Sequence, residues 1–300
     1  MIQWGLCCML WREPIKFHTA TCRNLSRLHR EEQLQKLSSI ILHNLNSLQA
    51  TLEFCVKNEI MAFRISSDLL PLATHPQLGY NWEKIPEAAE IAAKFMEIKN
   101  FSRIRNMRLS LHPDQFVVPS SPRKSIAAAS LMELLHQSQV AQCCGANEVN
   151  LHLGGVYGDK NKAIKEFARC FVDWPETVQK LLTLENDDVS YTVRDLANLC
   201  CTLSVPLVYD VHHHRCNPDG LSEFEASQIS AATWLPRGAG PHFHISSPRN
   251  GWSGGNPRPH GDLIVEQDFP ECWRDINFAL DVEAKHKEVA IMQLRNQLKK

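Results

Sequence analysis

The 300 residues carry 32 basic and 33 acidic side chains, a formal charge of -1 with histidine neutral, which excludes a globally basic nucleic-acid binder and leaves phosphate contact to local patches. At 44% hydrophobic content the chain can bury one large core, and its length suits a single α/β barrel or two ordinary domains. The 11 cysteines are odd in number, include three adjacent pairs and form no Cys-x-x-Cys, so they read as reduced thiols of a cytoplasmic protein that pack as small hydrophobes.

The opening MIQWGLCCML lacks a basic n-region and is too short to span a bilayer, so it reads as a first buried strand near residues 2–8. Residues 9–30 follow, with five basic residues against one glutamate, as a long loop. Apolar spacing of three and four then predicts helices over 31–58, 86–98, 124–145, 162–174 and 192–203, with Pro86 opening the second and Gly145 closing the third. Between and after them, short β-branched or aromatic runs predict strands near 61–66, 107–112, 148–154, 181–186, 205–210, 240–246 and 277–284. Residues 246–262, rich in Gly, Pro and Ser, read as a second long loop. Eight strands alternating with helices predict one domain over residues 1–300, a closed (β/α)8 TIM barrel with its site at the C-terminal strand ends.

Those strand ends carry chemistry. MRLSLH ends in His112, EVNLHL carries His152, LLTLEN carries Glu185 and VPLVYD ends in Asp210. PHFHIS carries His242 and His244, FALDVEA carries Glu283, and FRISSDLLPLATH runs on to His75. With His260 and one histidine of the 212–214 tract, this is an imidazole and carboxylate inventory larger than one ion needs, and of the type that suits Zn²⁺, Mn²⁺ or Fe²⁺. Clustered metals favour phosphoryl chemistry by metal-activated hydroxide attack. In the tract itself, spacing leaves His212, His213 and His214 equal. His18, His29, His43, His136 and His286 end no predicted strand and read as core or surface residues.

Eight segments together carry a family likeness: LATHP (72–76), LHPDQFVVPSSP (111–122), VNLHLGGVYGDK (149–160), LENDD (184–188), YDVHHHRCNP (209–218), PHFHISS (241–247), PRPHGD (257–262) and DVEAKHKE (281–288). With these, the chain resembles the UV damage endonuclease family. The resemblance implies a TIM barrel whose mouth holds two or three Mn²⁺ ions, or another divalent metal. It also implies excision repair, in which damaged double-stranded DNA is nicked 5′ to a pyrimidine dimer or related lesion, leaving a 3′-hydroxyl and a 5′-phosphate. The implied ligands are His75, His112, His152, Glu185, Asp210, His213, His244, His260 and Glu283, with His112, Glu185 and Glu283 catalytic. His213 is chosen because the family ligand stands three residues after the aspartate.

Gln115 and Phe116 match the residues with which the family probes the duplex, Phe116 replacing a tyrosine. Leu6 stands where the family has a tyrosine that contacts the lesion, and Trp4 should share its face of the strand. His242 replaces a metal-associated lysine, which implies either direct metal contact by His242 or a cluster with one ion fewer. Arg12, Lys16, Arg23, Arg27 and Arg30 in the first loop, Arg123 and Lys124 after the Gln115–Phe116 pair, and Arg249 and Arg258 in the seventh loop are expected to meet phosphates. The protein is expected to act as a monomer without a membrane. The competing readings are an abasic-site endonuclease, a metal-dependent barrel sugar isomerase and a damage-binding protein without activity.

Overall fold

The structure, a computed structural model, describes residues 1–299. Its eight strands are β1 (Ile2–Cys7), β2 (Ala62–Ile65), β3 (Arg108–Leu111), β4 (Glu148–His152), β5 (Leu182–Glu185), β6 (Leu207–Asp210), β7 (His242–Ile245) and β8 (Phe278–Val282). All are parallel, each pairs with the next, and β8 pairs back onto β1 to close the barrel. The TIM barrel expected from the alternation is therefore the fold.

The predicted helices correspond to α2 (Arg30–Lys57), α3 (Ala88–Ile104), α4 (Lys124–Cys144), α5 (Lys160–Phe171) and α7 (Val193–Leu203). The structure adds α1 (Cys22–Leu25), α6 (Glu176–Leu181), α8 (Val211–Cys216), α9 (Glu223–Ala232) and α10 (Lys287–Gln297). Gly145 closes α4 with a φ of 72°, its N–H returning to carbonyls of the last turn. Pro86 does not open α3: the helix begins at Ala88 behind Glu87, which takes the left-handed region at a φ of 56°. No helix among the described residues is long and apolar enough to cross a membrane. All 11 cysteines are free of disulfides.

Strand alternation separates two environments. Leu6, Phe63, Leu109, Leu151, Leu184, Tyr209, Phe243 and Leu280 face the helices and join one continuous apolar core with residues such as Ile41, Leu134 and Ile291. Each such buried aliphatic contributes about 2 kcal/mol. Leu6 is 0% exposed and Trp4 8%, both within this outer core. Neither reaches the mouth, so the lesion contact expected of them is corrected: strand parity points them at the helices.

The inner face is polar where most such barrels carry branched aliphatics. Arg64, Arg108, Glu148, Asn150, Thr183, His242 and Asp281 are all buried and bond to one another across the interior. Gly5 makes room for them, since a Cβ there would stand 2.3 Å from Asp281 Oδ1 and 2.9 Å from the Leu280 carbonyl. Gly5→Ala is expected to destabilise the fold by about 1–3 kcal/mol. This would be read as a lower urea midpoint at unchanged slope; an unchanged midpoint would show that Asp281 can yield.

Candidate metal centre at the barrel mouth

The strand ends converge as parallel register requires. His152 and Glu185 are paired neighbours on β4 and β5, Asp210 and His244 on β6 and β7, while His112 and Glu283 stand one residue beyond β3 and β8. Their ligand atoms form three overlapping groups: His112, His152 and Glu185; Glu185, Asp210 and His213; Asp210, His244 and Glu283. A fourth group, His242, His244 and Asp281, lies among buried residues of β7 and β8, and within each group the atoms are within 4.8 Å of one another. Glu185 links the first two. Its Oε2 lies 3.1 Å from His112 Nε2 and accepts a hydrogen bond from Asn150 Nδ2, while Oε1 lies 3.2 Å from both His213 Nδ1 and His244 Nδ1.

The histidine tract divides for a local reason. Asp210 caps α8, its Oδ1 accepting the N–H of His213 at 2.7 Å, so the third residue of the helix turns back beside the capping carboxylate. His213 thus faces Glu185. His214 Nδ1 instead meets the Tyr209 hydroxyl at 2.6 Å, and His212 Nε2 lies 3.2 Å from the Arg258 carbonyl.

His260 arrives on the loop after β7, which folds back through a bridge between Pro248 and His260 and brings His260 Nδ1 to 3.5 Å from Glu283 Oε2. His75 joins none of the four groups. Its Nδ1 accepts the backbone N–H groups of Gln77 and Leu78, each at 3.2 Å. Gln115 lines a cavity of about 400 Å³ together with His152, Gly154, Asp187 and His213, beside the cluster. Phe116, next in the loop, is 77% exposed. Arg12, Arg123 and Arg249 are exposed on the loops after β1, β3 and β7. Arg30 is committed to the carbonyls of Leu78 and Gly79, and Arg258 lies 3.4 Å from Asp188.

Beneath the mouth lies a buried charge network that the strand-end pattern did not reveal. Arg108 grips Glu148 through Nε at 3.2 Å and Nη2 at 2.8 Å, and Glu148 accepts from His242 Nδ1. Asp281 Oδ2 accepts from Arg64 Nε at 2.9 Å, and Arg64 Nη2 pairs with Glu283. Burial alone would raise the Glu148 pKa, but Arg108 and His242 bring it down to about 2. Burial likewise opposes ionisation of Glu283, yet Arg64 and the nearby histidines hold it well below the usual carboxylate range. At Glu185 the same desolvation is outweighed by His244 and His152, by the hydrogen bond from His112 and by the nearby ring of His213. Burial pushes the His152 pKa down, which favours the neutral imidazole that a metal binds.

Five buried atoms at and below the mouth have no hydrogen-bond partner: His152 Nδ1, Glu185 Oε1, Asp210 Oδ2, His242 Nε2 and Asp281 Oδ1. An orphaned buried polar atom is costly, and an imidazole or carboxylate atom of this kind on each strand from β4 to β8 fits divalent transition-metal ions.

The chain matches the profile described as UV-endonuclease UvdE over residues 2–300. It belongs to that family. Among UvdE relatives, a UV DNA damage endonuclease of Nostoc sp. (strain PCC 7120) is 32% identical over 295 residues, covering 97% of this chain and 89% of that protein. One of Bacillus cereus (strain B4264) is 31% identical over 294 residues, covering 93% and 88%. A crystal structure of SacUVDE superposes with a TM-score of 0.87 at 27% identity, covering 100% of this chain and 98% of the other. Endonuclease IV from Thermus thermophilus has a TM-score of 0.56 at 14% identity, covering 84% of this chain and 94% of the other. An L-ribulose 3-epimerase has a TM-score of 0.54 at 14%, covering 85% and 81%. These last two share the barrel alone. The barrel does not choose between a nuclease and an epimerase; UvdE membership does.

Proposed function

We propose that this UvdE protein nicks UV-damaged duplex DNA 5′ to the lesion, leaving a 3′-hydroxyl and a 5′-phosphate, with Mn²⁺ as its metal. The observation that carries the reading is Glu185, a buried carboxylate ringed by His112, His213 and His244 directly beside the cavity that Gln115 lines. His112, His152, Glu185, Asp210, His213, His244, His260 and Glu283 would hold the ions, with His242 as a further ligand beside His244 and Asp281. His75, the remaining ligand that the likeness implies, joins none of the four groups in this structure. Divalent ions held there supply Lewis acidity toward a phosphate and toward the water that attacks it.

The protein's own groups prepare that site. Asn150 and Arg64 fix the carboxylates of Glu185 and Glu283, whose depressed pKa values keep them ionised at neutral pH and so available as ligands. Gln115 and the exposed ring of Phe116 present an amide and a stacking face where a duplex approaching the mouth has to meet them. Arg12, Arg123 and Arg249 surround the mouth with cations for backbone phosphates.

The test is Mn²⁺-dependent nicking of duplexes that each carry one defined lesion. The duplex with a pyrimidine dimer should be cut once, 5′ to the dimer, to a ligatable end, and His112→Ala and Glu283→Ala should each lose at least about 100-fold. Cutting of abasic duplexes alone, or lesion binding without any nicking, would replace this reading with one of its competitors.

A further inference from the structure

One aromatic side chain at the mouth serves neither the ion cluster nor the Gln115–Phe116 loop. Trp11, in the loop after β1, is 53% exposed. Its position is nonetheless fixed from two sides. The N–H groups of Trp11 and Arg12 both donate to the carboxylate of Glu288, at 2.7 and 2.8 Å, and Glu288 is itself buried in the first turn of α10. The indole stacks on the His286 ring with centroids 4.7 Å apart and planes 27° from parallel. His286 stands three residues beyond Glu283 in the segment that leads into α10, and Arg12 and Lys285, the chain neighbours of the pair, are exposed.

A large apolar ring held rigid in solvent gains nothing for the fold from its outer face. Such a ring is, however, a ready surface for a nucleobase: base–aromatic stacking tolerates any sequence because every base has a π-face, and flanking cations draw in the phosphates. Topology gives the surface a counterpart. Phe116 and the exposed Tyr157 follow β3 and β4, and in a closed eight-strand barrel β4 lies opposite β8. Tyr157 and His286 therefore follow opposite strands of the barrel. The geometry points to the Trp11–His286 pair as a stacking platform for an unstacked nucleobase of the damaged duplex, across the barrel from the loop that carries Tyr157. This rests on the nuclease reading above, and it gives the first loop a lesion contact that buried Leu6 cannot supply.

The experiment compares Trp11→Ala and Trp11→Phe with the wild type in Mn²⁺-dependent nicking of a duplex carrying one pyrimidine dimer. For Trp11→Ala, KM should rise about tenfold while the single-turnover rate at saturating duplex stays near wild type; Trp11→Phe should recover most of the loss. Affinity for undamaged duplex, measured by competition, should change by less than about threefold, because its bases are already stacked. The melting temperature should not move, since the Glu288 clamp uses backbone donors and the ring is exposed. An unchanged KM, an equal loss of affinity for damaged and undamaged duplex, or equal defects in both variants would overturn the platform. A wild type that does not nick the dimer would instead overturn the nuclease reading.

Discussion

Glu185→Gln is expected to abolish nicking, with a loss of about a thousandfold or more, while the chain still folds. The carboxylate is 1% exposed and belongs to two of the ligand groups at once, with its two oxygens facing opposite sets of imidazoles. Glutamine keeps the shape but not the symmetry. Asn150 Nδ2 donates to the Oε2 position, so the amide oxygen takes that place and the NH2 group is turned toward His213 and His244. An NH2 group has no lone pair for an ion, so the side shared with Asp210 and His213 loses its donor, the side shared with His112 and His152 keeps only a neutral amide oxygen, and the negative charge that offsets the ions is gone. A thousandfold corresponds to about 4 kcal/mol of transition-state stabilisation, a modest share of what metal-assisted phosphodiester cleavage requires. Single-turnover nicking in saturating Mn²⁺ measures the loss, and circular dichroism in chelator establishes that the barrel persists. Activity within tenfold of wild type would remove Glu185 from the centre of the site.

The reason so much of this centre is legible in sequence is that barrel strands are short and their ends are fixed in space. A run such as LTLE cannot bury its last residue without a partner, so the residue itself marks both the strand end and the site. Side-chain parity was harder to exploit. Counting back by twos from a strand-end ligand leads from His112 to Ser110 and Arg108, from His152 to Asn150 and Glu148, from His244 to His242, and from Glu283 to Asp281. Those positions form the inner face, and the alternation that hides Leu6 and Trp4 among the helices is the same one that reveals Arg108, Glu148 and Asp281. Spacing alone does not choose among His212, His213 and His214; the family likeness picks His213, and the physical reason is the α8 cap, a backbone event that no single-residue property records. The helices that escaped notice are short or lie near the end of the chain. Even so, α9 announces itself through Ser222 and Glu225, whose reciprocal bonds form a capping box. Trp11 escaped because an exposed aromatic in a loop looks like any other until its ring is seen on His286 and its backbone on Glu288.

His242→Asn should lower the number of Mn²⁺ ions held per chain by one. His242 Nδ1 is bonded to Glu148, which Arg108 holds in a two-pronged grip, and that arrangement leaves Nε2 directed at Asp281. Nε2 and Asp281 Oδ1 stand 3.2 Å apart, yet neither atom makes a hydrogen bond, and both are fully buried. A carboxylate that orients an imidazole through one nitrogen while the other faces an oxygen ligand is the outer-shell pattern of a metal site. Without an ion, burial disfavours the imidazolium, but Asp281 and Glu148 outweigh it and raise the His242 pKa. His242 and Asp281 would be the residues to hold an ion there, in the place of that proton. Asparagine retains a donor near Glu148 and deletes Nε2, so the substitution separates ligation from the tie to Glu148. Mn²⁺ loading followed by desalting and elemental analysis gives the count. If the wild type retained three ions and His242→Asn retained the same three, His242 would be a structural partner of Glu148 and Asp281 alone. A lower count confined to the variant would place an ion against the residue that stands where the likeness to the UvdE family called for lysine.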